Sequence, residues 1–327
     1  MSRTLTVRPK TWPTRGTWTI SRGSSTSVDV VIVEIEQDGR RGLGECRPYG
    51  RYGESVGSVV AQIENLRDAI QGGMTRQELQ PVLAPGAARH AIDCALWDLE
   101  AKLAGKPVWQ LAGLKPPQPV TTAFTISLGS VEEMGAKARE AAHQPLLKLK
   151  LTGEGDLERV RAVRANAPDS RLVVDANEAW TMNHLRDFGM AFVELGVEMI
   201  EQPLPADRDQ DLIGFDCPIT LCADESCHDT ASLDHLRGKY SMINIKLDKT
   251  GGLTEALALR DQARAAGFKI MAGCMLASSL AMAPALLIAQ DAEVVDLDGP
   301  LLLAEDHSPA LRFEGARILP PGPELWG

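Results

Sequence analysis

The stretches LLKLKL (residues 146–151) and LVVD (residues 172–175) decide the fold, because each is a short apolar strand pattern that ends on or near an ionisable residue. Runs of the same kind recur along the chain, which makes eight strand candidates separated by Ala-rich helical stretches. The other six runs are 120–126, 198–201, 219–224, 242–246, 269–272 and 294–297. From the second run to the sixth, the closing ionisable residues follow one another at 22 to 26 residues. That period suits one strand, one helix and two loops, so the sequence predicts an α/β protein with a (β/α)8 barrel of the TIM type.

The N-terminal third has a different pattern, that of a mixed α+β unit. Residues 28–36 alternate and are rich in Val and Ile, and extended chain resumes at 43–46 after an Asp-Gly turn, which predicts a β-hairpin. Helical patterns follow at 54–71 and 87–103. The Pro-rich run at 115–119 interrupts regular structure, and we take it as the boundary between this unit and the barrel.

Composition favours a small-molecule partner. The chain has 327 residues and a net charge of -10, which disfavours nucleic acid and anionic membrane surfaces as partners. No apolar stretch approaches the roughly 20 residues that cross a bilayer, and no compact hydrophobic signal segment begins the chain, so we expect a cytoplasmic protein. The six cysteines form no CxxC pair, which disfavours a disulfide framework or a structural zinc site.

Three carboxylates close three consecutive strand candidates, namely Asp175, Glu201 and Asp224. Catalytic groups of barrels lie at the C-terminal ends of the strands, so these side chains should converge on a small volume. Their mutual repulsion calls for a cation, and an all-oxygen ligand set favours a hard ion such as Mg²⁺. The alternative, that each carboxylate caps the following helix, is common for single residues but does not explain three in succession.

Lysines close two further strands. Lys148 and Lys150 are two residues apart and therefore share one strand face. Lys150 and Lys246 belong to the second and sixth strands, opposite each other in an eight-stranded barrel. Burial near other cations should lower their pKa, so one could remove a proton and the other return it in a 1,1-proton transfer next to a carboxylate, with the metal holding the enediolate. The alternative reading, surface lysines on barrel loops, suits Lys249 or Lys239 better.

These residues carry a family resemblance that covers nearly the whole chain. The quoted motifs are Lys148-Leu-Lys150, Asp175-Ala-Asn177, Glu201-Gln-Pro203, Asp224-Glu225-Ser226, Lys246 and Lys249-Thr-Gly251-Gly252. Together they resemble the muconate-lactonizing-enzyme subgroup of the enolase superfamily, which uses a Lys or His base with Mg²⁺. The resemblance implies an α+β capping domain at 1–115 with specificity loops near 20–25 and 47–54. It also implies a catalytic barrel at 116–310 and a C-terminal segment, 311–327, that returns to and completes the capping domain.

Narrower features resemble the dipeptide epimerases of that subgroup. Asp296-Leu297-Asp298 is similar to their Asp-x-Asp signature, which holds the α-ammonium group of the substrate, although helix capping ahead of Gly299-Pro300 is an alternative. Arg22 resembles the arginine that meets an acidic side chain on the second residue of the dipeptide. Thr125 and Cys274 match substrate-contacting positions, and Cys274 is expected to act as a contact residue rather than a nucleophile.

The resemblance implies an isomerase, a dipeptide epimerase acting on L-Ala-D/L-Glu, with one Mg²⁺ per subunit. Its metal ligands would be Asp175, Glu201 and Asp224. Lys150 would take the Cα proton from the (R) epimer and Lys246 from the (S) epimer. Lys148 would stabilise the substrate carboxylate and tune Lys150. The family also suggests a role in murein peptide metabolism and cell wall degradation.

Several alternatives remain open at this point. The same scaffold could epimerise another dipeptide, or act as a cycloisomerase or an o-succinylbenzoate synthase, whose substrates have no ammonium group for Asp296 and Asp298 to bind. A class I aldolase would use one lysine as a Schiff base, and a binding protein would retain the fold without chemistry. Barrels of this type frequently form homo-oligomers, and the sequence leaves the oligomeric state open.

Overall fold

The N-terminal part of the chain begins with a three-stranded antiparallel sheet in the order β1-β2-β3. In the computed structural model, which describes residues 3–327, its strands are β1 (Thr4–Ile20), β2 (Gly23–Gln37) and β3 (Arg40–Cys46). The predicted hairpin is β2-β3, with Asp38 and Gly39 both at positive φ in the turn. β1 was not predicted, because it contains Pro9 and Pro13 and most of its side chains are exposed. Its sequence therefore lacks the alternation of apolar and polar residues that indicates a strand.

Five α-helices follow this sheet in the chain. They are α1 (Val56–Glu64), α2 (Arg67–Gln71), α3 (Arg76–Val82), α4 (Ala87–Ala104) and α5 (Val108–Leu111). The single helix predicted at 54–71 is two helices, whereas α4 agrees with the prediction at 87–103 to within one residue. β3 lies so close to α4 that a Cβ on Gly42 or Gly44 would overlap the α4 backbone. Glycine is therefore required at both positions for the sheet and the helix to pack.

The barrel contains eight parallel strands in chain order, confirming the predicted fold. The short strand β4 (Val120–Thr121) precedes them. The barrel strands are β5 (Phe124–Ile126), β6 (Leu146–Lys150), β7 (Arg171–Asp175), β8 (Val197–Glu201), β9 (Thr220–Ala223), β10 (Met242–Ile245), β11 (Lys269–Gly273) and β12 (Val294–Asp296). The Ala123 amide donates to the Val295 carbonyl at 2.8 Å where the first and last strands meet. Seven predicted strands agree with these bounds to within one residue, and the run at 120–126 is divided between β4 and β5.

Helices surround the barrel, and the end of the chain returns to the N-terminal unit. The helices are α6 (Val131–Glu140), α7 (Asp156–Asn166), α8 (Met182–Glu194), α9 (Leu233–Leu236), α10 (Leu247–Thr250), α11 (Leu253–Ala265), α12 (Ser279–Ala289) and α13 (Gly299–Leu302). Strands β13 (Phe313–Glu314) and β14 (Arg317–Ile318) form a small antiparallel sheet with β4. Trp326 Nε1 donates to the Cys94 carbonyl of α4 at 3.0 Å, and the Gly327 amide donates to Asp98 Oδ1 at 2.8 Å. The last two residues of the chain are therefore bound to α4.

The barrel interior is layered, and the layering positions the polar residues. The lower layer is apolar and takes one buried residue from each of the eight strands or from the residue next to the strand. These residues are Ala123, Leu146, Val173, Met199, Cys222, Met242, Met271 and Val294. Two residues further along, on the same strand faces, stand Thr125, Lys148, Asp175, Glu201, Asp224, Asn244, Gly273 and Asp296. Because side chains alternate along a strand, every polar residue of the second layer faces the interior that the first layer fills.

The remaining structural predictions concern cysteines and membrane segments. The six cysteines are free thiols. Among the helices of residues 3–327, none combines the length and apolar character that a bilayer-crossing segment needs.

Candidate active site at the mouth of the barrel

Asp175, Glu201 and Asp224 are fully or almost fully buried, and lysine side chains connect them. Lys148 Nζ lies 2.6 Å from Glu201 Oε2 and 3.3 Å from Asp175 Oδ2. Lys150 Nζ lies 2.6 Å from Asp175 Oδ2. The structure thus brings the predicted metal ligands and the predicted bases into one buried ion-pair network.

Lys246 and Lys249 complete the network on the other side of the barrel. Lys246 Nζ lies 2.6 Å from Asp224 Oδ2, and Lys249 Nζ lies 2.6 Å from Asp224 Oδ1. Lys249 also donates to the backbone carbonyl of Asn244 at 3.0 Å. The interpretation of Lys249 as a surface lysine was wrong, because the turn of α10 folds it back beneath Lys246 and buries it.

The charges of the network shift the pKa values of its members in opposite directions. Burial opposes the ionised form of Asp175, but Lys150 and Lys148 outweigh it and lower the pKa of Asp175 to about 2. Burial, reinforced by the charge of Asp175, raises the pKa of Glu201 to about 7. Burial also opposes the ionised form of Lys246, yet Asp224 and Glu201 raise its pKa above the ordinary value. The expected lowering of the lysine pKa values is therefore absent for Lys246, because its carboxylate neighbours dominate.

The donor set of this network suits a hard cation. Within residues 3–327 no three His, Cys, Asp or Glu side chains are already arranged to coordinate a metal ion. Lysine ammonium groups lie next to the three carboxylates. Glu201 Oε2 contacts Lys148 as an ion pair but accepts no hydrogen bond of good geometry. This oxygen is buried and lies in the same cluster as the carboxylates of Asp175 and Asp224. An all-oxygen donor set with a buried carboxylate oxygen left without a hydrogen-bond donor fits Mg²⁺, so the residues present are compatible with the expected metal.

Two adjoining cavities open at this end of the barrel. The larger, about 380 Å³, lies beneath the capping-domain loops and is bordered by Arg22, Tyr49 and Arg51. The smaller, about 40 Å³, is bordered by Asp296 and Asp298. Five residues border both cavities: Trp18, Lys150, Lys246, Cys274 and Leu276. The two lysines thus stand where the cavities meet.

Asp296 and Asp298 line the small cavity with Thr125. Lys148 Nζ donates to Asp296 Oδ2 at 2.7 Å, and the Thr125 amide donates to Asp298 Oδ2 at 2.7 Å. Burial, followed by the charge of Asp296, raises the pKa of Asp298 to about 7. Asp298 precedes α13 but its side chain makes no capping hydrogen bond there, so the capping alternative does not explain it. The cavity is therefore suited to a cationic group.

Arg22 reaches from the capping domain to the barrel. Its guanidinium lies 2.9 Å from Glu225 Oε1, donates to the Tyr49 hydroxyl at 2.9 Å and lies 3.4 Å from Glu178 Oε2. Arg51 binds the same Glu178 with two hydrogen bonds of 2.7 and 2.8 Å. Glu178 could not be recognised from sequence as a partner of the two loops, since its contact with Arg51 spans 127 positions of the chain.

Cys274 borders both cavities, and within residues 3–327 its thiol forms no hydrogen bond to a basic side chain. Burial, together with the charges of Asp296 and Asp298, raises its pKa well above the usual value. A thiol of this kind contacts neighbouring groups and is a poor nucleophile.

Comparison with known proteins gives both a family and close relatives. The family "Mandelate racemase / muconate lactonizing enzyme, N-terminal domain" matches residues 2–113, and the family "Enolase C-terminal domain-like" matches residues 133–323. The chain is 48% identical over 313 residues to the L-Ala-D/L-Glu epimerase of Escherichia coli (strain K12), covering 95% of this chain and 98% of that protein. It is 42% identical over 300 residues to an N-acetyl-D-glutamate racemase of a Pseudoalteromonas species, covering 91% and 95%.

Solved structures agree with these relatives. An enolase family member from Agrobacterium tumefaciens, described as homologous to dipeptide epimerases and containing bound sodium and L-Ala-L-Glu, superposes with a TM-score of 0.97 at 52% identity and covers 99% of this chain and 100% of that one. A dipeptide epimerase from Enterococcus faecalis V583, complexed with Mg and the dipeptide L-Leu-L-Tyr, has a TM-score of 0.90 at 30% identity and covers 98% of both chains. This chain therefore belongs to the enolase superfamily, with the N-terminal domain of the mandelate racemase and muconate lactonizing enzyme family.

Proposed function

We propose that the protein is an isomerase, an Mg²⁺-dependent dipeptide epimerase acting on L-Ala-D/L-Glu. The observation that carries this proposal is the position of Lys150 and Lys246. Lys150 is the last residue of β6 and Lys246 directly follows β10. These two strands are four places apart in the eight-stranded barrel, and both lysines border the junction of the two cavities. A Cα held at that junction would have one lysine on each side.

One Mg²⁺ per subunit would be held by Asp175, Glu201 and Asp224. When bound, Mg²⁺ would offset the negative charge that develops on the substrate carboxylate as the Cα proton leaves. The positive charges of Lys148, Lys150 and Lys246 now compensate these carboxylates in part. Binding of the cation and of the substrate carboxylate would release the lysines from that role.

The lysines would divide the proton transfer between them. Lys150 would remove the Cα proton of the (R) epimer, and Lys246 would deliver a proton to the opposite side of the carbon. In the reverse direction, Lys246 would act as the base toward the (S) epimer. Lys148, which contacts Asp175, Glu201 and Asp296, would bind the substrate carboxylate and hold Lys150 in place.

The two ends of the dipeptide would occupy the two cavities. The α-ammonium group would bind Asp296 and Asp298 in the small cavity, with Thr125 and Cys274 beside it. The second residue would extend into the larger cavity, which Arg22 borders. The paired aspartates disfavour substrates without a cationic group, including N-acetyl-D-glutamate and the substrates of a cycloisomerase or an o-succinylbenzoate synthase.

The proposal is tested by proton NMR of L-Ala-L-Glu in D2O with the protein and Mg²⁺. We expect loss of the Glu Cα proton signal, appearance of the diastereomer, and no reaction after addition of EDTA. N-acetyl-D-glutamate should exchange far more slowly under the same conditions. If neither dipeptide epimer exchanges while N-acetyl-D-glutamate racemises, the proposed substrate is wrong.

We also propose the cellular setting and the domain division that the sequence suggested. A cytoplasmic enzyme of this specificity would process murein peptides released in cell wall degradation. The proposed division is a capping domain at 1–115, a barrel at 116–310 and a C-terminal segment at 311–327. It is supported by the end of α5 at Leu111 and by the contacts of Trp326 and Gly327 with α4.

A further inference from the structure

The larger cavity is bordered by five cationic side chains, and four of them have a carboxylate partner. Arg22 pairs with Glu225, Arg51 with Glu178, Lys150 with Asp175 and Lys246 with Asp224. The fifth cation, Arg47, forms no ion pair and donates no side-chain hydrogen bond within residues 3–327. The larger cavity therefore holds one guanidinium whose charge is not neutralised by a direct partner.

Arg47 is held in place by its backbone. It follows β3 directly, and its amide donates to Asp248 Oδ1 at 2.8 Å. Asp248 also contacts His90, whose Nδ1 lies 2.8 Å from the same oxygen. The Arg47 guanidinium carbon lies 5.6 Å from the centre of the Tyr49 ring, which supports the planar group on one side.

Burial lowers the pKa of Arg47, although more distant charges, Tyr49 and Asp248 first among them, raise it in part. A half-buried guanidinium keeps its charge at neutral pH and has several N–H donors without acceptors. An arriving carboxylate could therefore form charge-assisted hydrogen bonds without displacing an existing partner. Arg22 differs in this respect, because Glu225, Tyr49 and the Asn177 carbonyl already accept its donors.

We propose that Arg47 determines the preference for an acidic second residue by binding its side-chain carboxylate in the larger cavity. This inference rests on the proposed function, since it takes the dipeptide as the ligand. Arg22 joins the first specificity loop to Glu225 and Glu178 of the barrel, and it would add a second positive charge to the border of the same cavity. The substrate's own α-carboxylate lies elsewhere, beside Lys148.

The test compares two nearly isosteric dipeptides, L-Ala-L-Glu and L-Ala-L-Gln, which differ in the charge of the second side chain. Their dissociation constants are measured by titration calorimetry for the wild type, Arg47→Met, Arg47→Lys and Arg22→Met in the presence of Mg²⁺. Arg40→Met is the matched control, because Arg40 is exposed at the start of β3 and borders neither cavity. Met keeps the unbranched stem of Arg47, and no hydrogen bond is lost on substitution.

We expect the wild type and Arg40→Met to bind L-Ala-L-Glu at least tenfold more tightly than L-Ala-L-Gln. Arg47→Met should abolish that difference through weaker binding of L-Ala-L-Glu, and Arg47→Lys should restore part of it. A preference that survives in Arg47→Met, or a wild type without preference, overturns the inference.

Cα exchange in D2O is followed on the same samples. If no dipeptide exchanges with the wild type, the proposed function fails, whereas the binding preference still decides the role of Arg47. Loss of the preference in Arg22→Met alone, with Arg47→Met unchanged, would assign the acidic side chain to Arg22 and overturn the inference.

Discussion

Glu45 is a buried carboxylate that joins the capping domain to the barrel. It is the penultimate residue of β3, and it accepts hydrogen bonds from the Ser278 amide and hydroxyl, both at 2.7 Å, at the start of α12. Trp12 Nε1 donates to it at 3.3 Å. The segment immediately before Ser278 includes Cys274 and Leu276, which border both cavities. Glu45 thus fixes a barrel loop of the candidate site from the capping domain.

Burial raises the pKa of Glu45 to about 7, from an ordinary value of 4.5. The folded protein therefore binds more protons than the unfolded chain between these values, so Glu45 makes the free energy of unfolding fall as pH rises from about 4.5 to 7. Glu45→Gln cannot ionise, so we expect its free energy of unfolding not to fall in this way as pH rises. Between pH 4.5 and pH 8 the wild type should lose up to about 3 kcal/mol relative to the variant in urea unfolding. Equal pH dependence of the two proteins would contradict this assignment, and exposed Glu36→Gln serves as the control.

Among the secondary-structure elements, the packing of β3 on α4 limits which substitutions the capping domain tolerates. Gly44 approaches the backbone of α4 so closely that a methyl group has no space. We expect Gly44→Ala to lower the free energy of unfolding by about 3 kcal/mol, because β3 and α4 would have to separate. Urea unfolding measures the change. The matched variant Gly57→Ala lies in α1, where the nearest atom is 3.9 Å away, and it should be neutral or slightly stabilising. A Gly44→Ala protein as stable as wild type would contradict this close packing of β3 on α4.

The barrel could be predicted from sequence because its period and its strand ends are local features. At seven of the eight strand positions an apolar interior residue is followed two positions later by the polar residue that the structure places in the second layer, as with Val173 and Asp175, and the exception is Gly273. β1 could not be predicted, since its pairing with β2, rather than its own composition, makes it a strand. The metal ligands and the bases were predicted to meet, but not the sharing of each carboxylate between lysines, which depends on side-chain geometry across the barrel.

Loop contacts were the least predictable part of the site. Arg22 was singled out by resemblance alone, and its pairing with Glu225 brings together chain segments about 200 residues apart. Arg47 was passed over because the sequence shows an arginine but does not show whether it has a partner. Only the folded chain distinguishes a neutralised guanidinium from a free one.

At the scale of the whole molecule, the candidate metal site should couple to stability. A ligand that binds only the folded state stabilises it by about 2.7 kcal/mol at a concentration one hundred times its dissociation constant. For a chain of this size we expect saturating Mg²⁺ to raise the melting temperature by about 5 °C, and EDTA to reverse the change. Calorimetry or circular dichroism measures the shift.

Asp224→Asn should lose that response to Mg²⁺, because it removes one of the proposed ligands. Asp169→Asn is the control, since Asp169 is exposed and outside the barrel mouth. An equal Mg²⁺-induced shift in Asp224→Asn would exclude Asp224 as a ligand.

The two proposed bases are distinguished by hydrogen exchange at the Glu Cα of the two epimers, L-Ala-L-Glu and L-Ala-D-Glu, measured in D2O with Lys150→Met and Lys246→Met. Each variant should lose epimerisation by about a thousandfold or more. Lys246→Met should still exchange the D-Glu epimer through Lys150, and Lys150→Met should still exchange the L-Glu epimer through Lys246. Lys137→Met, at an exposed position of α6, should behave as wild type. Epimerisation that persists in either active-site variant, or exchange of the same epimer by both, would contradict two lysines acting on opposite sides of one carbon.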